Sequence, residues 1–319
     1  MAVPISPAQT LPTRGHSGPV PAGSRHQSRA RARREARVGH LLIAPAIAVV
    51  GVFILYPLGF GLYISFTNWP LIGPYHYIGG SNYSALLHNS VFIQSIVFTL
   101  EYTAIVTVPI LVFGYLLAVF VRSNRRGSIL FRTCFFLPFI IGLSTLSFLI
   151  FVELQPGFGT VNVLLSKLHI VGINTPWTAS TGLALTAICI LVVWFASGLT
   201  MMLLMAGMQS IPEQLYESAE VDGASWWQSE RKITIPLLRR SIALSLVISV
   251  VGSLLAFNQF FIITDGGPGS STQSVVMQIY ETFNSSFSVG SASAMSIVLI
   301  VVVGFITFLQ LRFLRSDNA

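Results

Sequence analysis

Six apolar stretches divide the chain beyond residue 40, at about 41–66, 91–121, 130–152, 181–208, 241–264 and 292–312. Each is long enough for the roughly 20 residues that a helix needs to cross the hydrocarbon core of a membrane. The pattern predicts an all-α membrane protein of six transmembrane helices occupying 41–315. Residues 1–40 show no apolar period and are rich in Pro, Ser, Gly and Arg, which predicts a disordered basic tail. No small-residue cleavage site follows the first apolar run, so the tail does not read as a secretory signal. The segment after the third stretch, PGFGTVNVLLSKLHIVG, predicts a short re-entrant or interfacial helix over Val161–Leu168, since about ten apolar residues cannot span.

The polar positions are as informative as the apolar ones. Between the fourth and fifth stretches lies a segment of about thirty residues, 210–240, holding Glu213, Glu217, Glu220, Asp222, Glu230, Arg231, Lys232, Arg239 and Arg240. A connection that only reverses the chain can be much shorter. Ser210 is expected to cap a helix whose first turn holds Pro212 and Glu213. On that helix Glu213, Glu217 and Glu220 form an acidic stripe, beside an apolar stripe of Leu215, Tyr216 and Ala219. Gly223 suits a C-terminal cap or a sharp turn, and a second short element carries Trp226 and Trp227. Pro236 is placed to open the fifth span. Such a loop fits a groove on a partner in the aqueous phase. An amphipathic helix lying on the bilayer is the alternative, and its acidic stripe opposes an anionic leaflet.

Composition agrees with the membrane reading. The chain is 53% hydrophobic and 9% charged, against about a quarter charged in soluble domains. Its net charge of +7 does not point to nucleic acid, because the basic residues are not gathered on one folded face. Seventeen of the 18 Lys and Arg fall in the tail, the 122–132 turn, the 210–240 loop and the C-terminus, and only Lys167 falls on the other side. The positive-inside rule then puts both termini in the cytoplasm. Trp69, Tyr75, Tyr77, Tyr83 and Trp177 lie in the opposite segments, as headgroup-level aromatics do.

Several chemistries are missing. Neither Lys167 nor Lys232 follows a glycine as in a P-loop, so ATP hydrolysis by that route is not expected. The histidines are scattered without metal spacing, and Cys134 and Cys189 sit inside apolar runs, as packing thiols do. No nucleophile elbow occurs. The chain reads as a non-enzyme with no cofactor or metal of its own. Few ionisable residues lie at membrane depth. Glu101 and Glu153 stand toward outer ends of spans, and Asn258 and Gln259 in the outer half of the fifth. Carriers driven by ion gradients usually bury such groups in mid-span, so energy is expected to enter through the cytoplasmic loop.

Glu217, Ser218 and Ala219, then Gly223, then nine residues, then Ile233, Ile235 and Pro236 resemble the EAA---G---------I-LP signature. That signature marks permease subunits of binding-protein-dependent ABC importers. Ser218 stands for an alanine and Ile235 for a leucine, with the spacing intact. FTNW at 66–69, NYSALL at 82–87, ITDGGPGSSTQSVVMQIYETF at 263–283 and GSASAMSIVL at 290–299 are similar to the carbohydrate branch, in particular its maltose-type or glycerol-phosphate-type first permease. The resemblance covers about 40–315 and implies a type I-like permease domain with a coupling-helix loop at 210–240.

The resemblance also implies partners: a second homologous permease, two copies of an ABC ATPase that bind the ATP, and an extracytoplasmic solute-binding protein, in a prokaryotic cell membrane. It implies ATPase coupling by Glu217, Ser218, Ala219, Gly223, Ile233 and Pro236, with Glu217 facing a basic residue of the ATPase. Asn258 and Gln259 are candidate hydrogen-bonding groups on the path of a sugar or polyol, with Phe257 and Phe260 as apolar faces. Helix glue is their other reading. Gly266, Gly267 and Pro268 are expected to make a tight outer turn. Two rival functions remain, a self-sufficient six-helix channel and a membrane enzyme, the latter opposed by the missing chemistry.

Overall fold

The computed structural model describes residues 40, 42–122 and 127–316. The tail expectation therefore lies outside the described residues, as does the centre of the 122–132 turn. The chain divides at Phe60–Gly61 into two units. Helix α1 (Leu42–Ser65) runs across that division; in its part within the first unit it contains a π turn at Gly51–Leu55, and Tyr56 stacks on Phe60.

The second unit is helical, with two isolated antiparallel bridges and no strand among the described residues. Its elements are α2 (Ser81–His88), α3 (Ser90–Arg122), α4 (Ser128–Ile141), α5 (Leu143–Glu153), α6 (Thr160–Lys167) and α7 (Thr181–Gln209). These are followed by α8 (Gln214–Val221), α9 (Trp226–Leu237), α10 (Arg239–Leu254), α11 (Asn258–Ile263), α12 (Val275–Asn284) and α13 (Val289–Ser316). Among the described residues four helices, α1, α3, α7 and α13, are long and apolar enough to cross a membrane unbroken, and the count reaches six if each of two bent pairs, α4 with α5 and α9 with α10, is one crossing.

Two expected straight spans are broken. The third is the pair α4 and α5, which meet at 92°. Their 14 and 11 residues give lengths of about 21 and 16 Å at 1.5 Å per residue, each short of a hydrocarbon core of about 30 Å. The bend is at Gly142, whose φ of 92° is open to a residue without Cβ. The fifth ends as a helix at Leu254 and resumes at Asn258, with Phe257 outside helical geometry at φ −138°. At this break the carbonyl of Ala256 accepts from the Ser274 hydroxyl at 2.6 Å. Backbone at membrane depth needs such substitute partners.

Helices α3 and α7 form the centre. Tyr102, Val106 and Ile110 of α3 pack with Ile188 and Leu191 of α7, Leu146 of α5 and Phe260 of α11. A second cluster toward their other ends joins Ala118 and Val121 to Met201, Leu204, Met208 and Leu238. The two helices approach closely at Gly114, where a Cβ would lie 2.4 Å from Thr200 Cγ2. Small residues at crossings are how membrane helices gain van der Waals contact.

The expected short helix after the third stretch is α6. Asn162 anchors it, donating to the Ile173 carbonyl at 2.7 Å and accepting from the Trp177 indole at 3.0 Å. The expected turn at Gly266–Pro268 is closed by the Gly267 N–H donating to the Thr264 carbonyl at 2.8 Å.

Candidate functional site

The loop between α7 and α10 is built of two short helices. Ser210 does not cap the first of them. It closes α7, its hydroxyl donating to the Gly207 carbonyl at 2.7 Å, and α8 begins at Gln214 with no side-chain cap. Pro212 and Glu213 precede α8, and their carbonyls accept from Leu215 and Tyr216 to start it.

At its other end α8 closes with both bonds of a Schellman motif. The Ala224 N–H donates to the Ala219 carbonyl at 2.9 Å, and the Gly223 N–H to the Glu220 carbonyl at 3.0 Å. Gly223 has φ +75°, with open space around its absent Cβ. The requirement there is on the backbone and not on room. Ser225 then starts α9 with a capping box, its backbone N–H donating to Gln228 Oε1 at 2.7 Å. This Ser-x-x-Gln spacing is a helix-start signal that is legible in the sequence itself.

The structure separates the signature residues by exposure. Glu217, Ser218, Gly223 and Pro236 are exposed, as are Glu213 and Glu220, whereas Ala219 and Ile233 are half-buried. Trp226 and Trp227 are 63% and 61% exposed, with ring centroids 6.2 Å apart. Val221 and Leu237 of the same loop are exposed as well. The loop thus presents acidic and large apolar groups together, a composition suited to a partner surface.

Glu230 differs from the other loop acids. It is 3% exposed, in a π turn at Glu230–Thr234 within α9. Tyr115 donates to its Oε2 at 2.6 Å, and Arg122 Nη1 lies 3.5 Å from its Oε1. The Arg122 guanidinium also sits 4.4 Å from the centroid of the Tyr216 ring, and the Tyr216 hydroxyl shares a 2.9 Å hydrogen bond with Thr234. In the sequence Glu230 is one loop charge among several. Its partners lie more than a hundred positions away, so no local signal marks them.

A cavity of about 160 Å³ lies between α3, α7 and α10. Its polar lining is Tyr102, Thr200, Gln259 and the ladder Ser245, Ser249 and Ser253, spaced one helical turn apart on α10. Gln259 is 2% exposed and donates to the Tyr102 hydroxyl at 3.1 Å. Gln259 Oε1 and the Ser245 hydroxyl are buried without a hydrogen-bond partner. Buried polar atoms of this kind call for water or a polar guest.

Of the four residues expected on the path, Gln259 alone lines this cavity. Asn258 is exposed, and Phe257 is half-buried against Phe261 and Tyr280. Phe260 is fully buried, edge-on to Tyr102 at 4.9 Å. The serine ladder escaped the sequence reading because isolated serines in an apolar run carry no label of the face they take. Among the described residues no group of His, Cys, Asp and Glu could hold a metal.

Residues 110–316 match the family of binding-protein-dependent transport system inner membrane components. A probable ABC transporter permease of Pyrococcus horikoshii is 34% identical over 272 residues, covering 84% of this chain and 93% of its own. The sulfoquinovosyl glycerol transport system permease of Agrobacterium fabrum is 31% identical, covering 87% of this chain and 90% of its own. The multiple sugar-binding transport system permease of Streptococcus mutans is 30% identical, covering 85% and 92%. In fold, the chain is similar to a solved bacterial ABC transporter involved in import of the acidic polysaccharide alginate, with a TM-score of 0.79 over 91% of this chain and all of that one, at 24% identity. The chain belongs to the binding-protein-dependent transport system inner membrane component family. It is a multi-pass membrane protein, and its relatives are transport permeases and not enzymes.

Proposed function

We propose that this chain is the permease subunit of an ATP-driven importer for a sugar or related polyol, forming half of the translocation path. A second, similar permease supplies the other half, two ATPase subunits bind and hydrolyse the ATP, and an extracytoplasmic solute-binding protein delivers the solute. Both termini lie in the cytoplasm, as the distribution of Lys and Arg supports. The observation that carries the reading is the exposed loop, in which an acidic helix, a glycine-closed turn and two projecting tryptophans stand together on a membrane protein of a transport family.

In this reading α8 is the coupling helix, and Glu217 offers its carboxylate to a basic group of the ATPase. Ser218 and Ala219 complete the contacting turn, Gly223 sets the angle between α8 and α9, and Ile233 and Pro236 seat α9 against the fifth segment. Closure of the ATPase pair on ATP moves the docked loops and switches the path from inward-facing to outward-facing. Gln259, with Tyr102 and the serine ladder, offers hydroxyl and amide groups to a hydroxylated solute, and the neighbouring Asn258, Phe257 and Phe260 shape the helix break beside it. The sugar class rests on the names of the relatives and on this hydroxyl-rich lining.

Proteoliposomes test the proposal. The purified chain alone should pass no radiolabelled maltose, trehalose or lactose. The chain with its partner permease, ATPase and receptor should take up, on ATP, the sugar that the receptor binds. Flux through the chain alone would make it a channel instead.

A further inference from the structure

Glu230 is a charged residue of a polar loop, yet its carboxylate is removed from water. Burying a carboxylate is unfavourable unless donors compensate it. Here both donors come from α3, where Tyr115 and Arg122 lie seven residues apart and hence on one face two turns along. Arg122 also lies over Tyr216 of α8, and Tyr216 bonds Thr234 of the π turn. One end of α3 thus grips both arms of the loop. π turns are rare and frequent at functional sites, and this one holds both Glu230 and Thr234 inward.

We propose that Glu230 is the positioning residue of the loop, its buried carboxylate latching α9 to Tyr115 and Arg122 so that the loop and the adjoining half of α3 move as one body. The proposal rests on the coupling reading of the loop and adds the route by which its movement reaches the path. Thirteen residues further along α3, about 20 Å at 1.5 Å per residue, stands Tyr102, which accepts from Gln259 at the cavity. Displacement of the loop is thereby delivered along one helix to the cavity wall.

The test uses the whole chain copurified with its ATPase in lipid nanodiscs. Cys134 and Cys189 are replaced by Ser, and spin labels are attached at Leu116→Cys on α3 and Lys232→Cys on α9, both exposed positions. Electron paramagnetic resonance reads the distance between them without nucleotide and after trapping with ATP and vanadate. With the latch intact, one narrow distance is expected in both states. With Tyr115→Phe or Glu230→Gln, the same narrow distance is expected without nucleotide, and a second, longer component after trapping. Tyr115→Phe removes only a hydroxyl and carries the test if Glu230→Gln does not fold. Variants whose distance stays single after trapping, or broadens equally in both states, overturn the latch alone. An unsubstituted chain that splits into two distances overturns it as well. Failure of the ATPase to copurify with the unsubstituted chain overturns the coupling reading and takes the latch with it.

Discussion

The amide of Gln259 donates to the hydroxyl of Tyr102 at 3.1 Å, joining the helix break after α10 to the middle of α3 across 157 positions of sequence. The same amide has a second polar atom, Oε1, that is buried without a donor, on a residue that lines the cavity. One half of the side chain fixes its position and the other is open to a guest. Gln259→Ala should therefore lower uptake by about tenfold, the worth of a single hydrogen bond. Assembly with the partner subunits should be unchanged. Radiotracer uptake in proteoliposomes, set against the yield of intact complex, checks this. Lost assembly at normal specific uptake would assign Gln259 to helix packing.

Gly223 should tolerate substitution according to backbone preference and not size, because nothing lies within 4 Å of its missing Cβ. At φ +75° an ordinary side chain is disfavoured by about 1–2 kcal/mol, Asn less so and a β-branched residue more. Gly223→Asn should keep the ATPase bound and active, and Gly223→Val should lose it. Membrane insertion should be equal in both. ATP hydrolysis by the purified complexes distinguishes the order Asn above Val from an order set by volume.

Gly114 presents the opposite case, since its Cβ would meet Thr200 Cγ2 at 2.4 Å and Cβ at 2.6 Å. Gly114→Val should destabilise the α3–α7 crossing by about 1–3 kcal/mol through overpacking. Thr200→Ala should recover part of the loss, because the two sites share one contact. Thermal unfolding in detergent of the single and double variants reads the coupling between them.

Labelling in intact cells checks the orientation. A membrane-impermeant maleimide should modify Gly80→Cys, in the exposed turn before α2, and should leave Ser229→Cys unmodified until the membrane is opened. Reaction of Ser229→Cys from outside would invert the topology.

The helical membrane fold was legible in the sequence because it rests on runs of apolar residues, which are local. The short helix at Thr160–Lys167 and the turn at Gly223 were legible for the same reason. The bends were not. Gly142 and Phe257 lie inside apolar runs whose hydropathy is continuous, and the 92° turn and the break before Asn258 depend on packing between segments. Ser210 was misplaced by a few residues because a serine beside Pro212 fits the start of one helix as well as the end of another. The cavity and the Glu230 network could not be foreseen, since each is assembled from residues far apart in the chain.

The central claim is that this loop engages an ATPase, and Glu217 tests it most directly. Its carboxylate is exposed on α8 beside Glu213 and Glu220 and has no part in the Glu230 network. Replacing it should leave the fold intact. Tagged chains carrying Glu217→Ala or Glu217→Lys would be purified from membranes, and the ATPase retained per permease quantified as the salt concentration is raised. We expect weaker retention for Glu217→Ala and a larger loss for Glu217→Lys, with the difference shrinking as salt screens the charge. Equal retention in all three chains at every salt concentration would contradict the assignment of the loop.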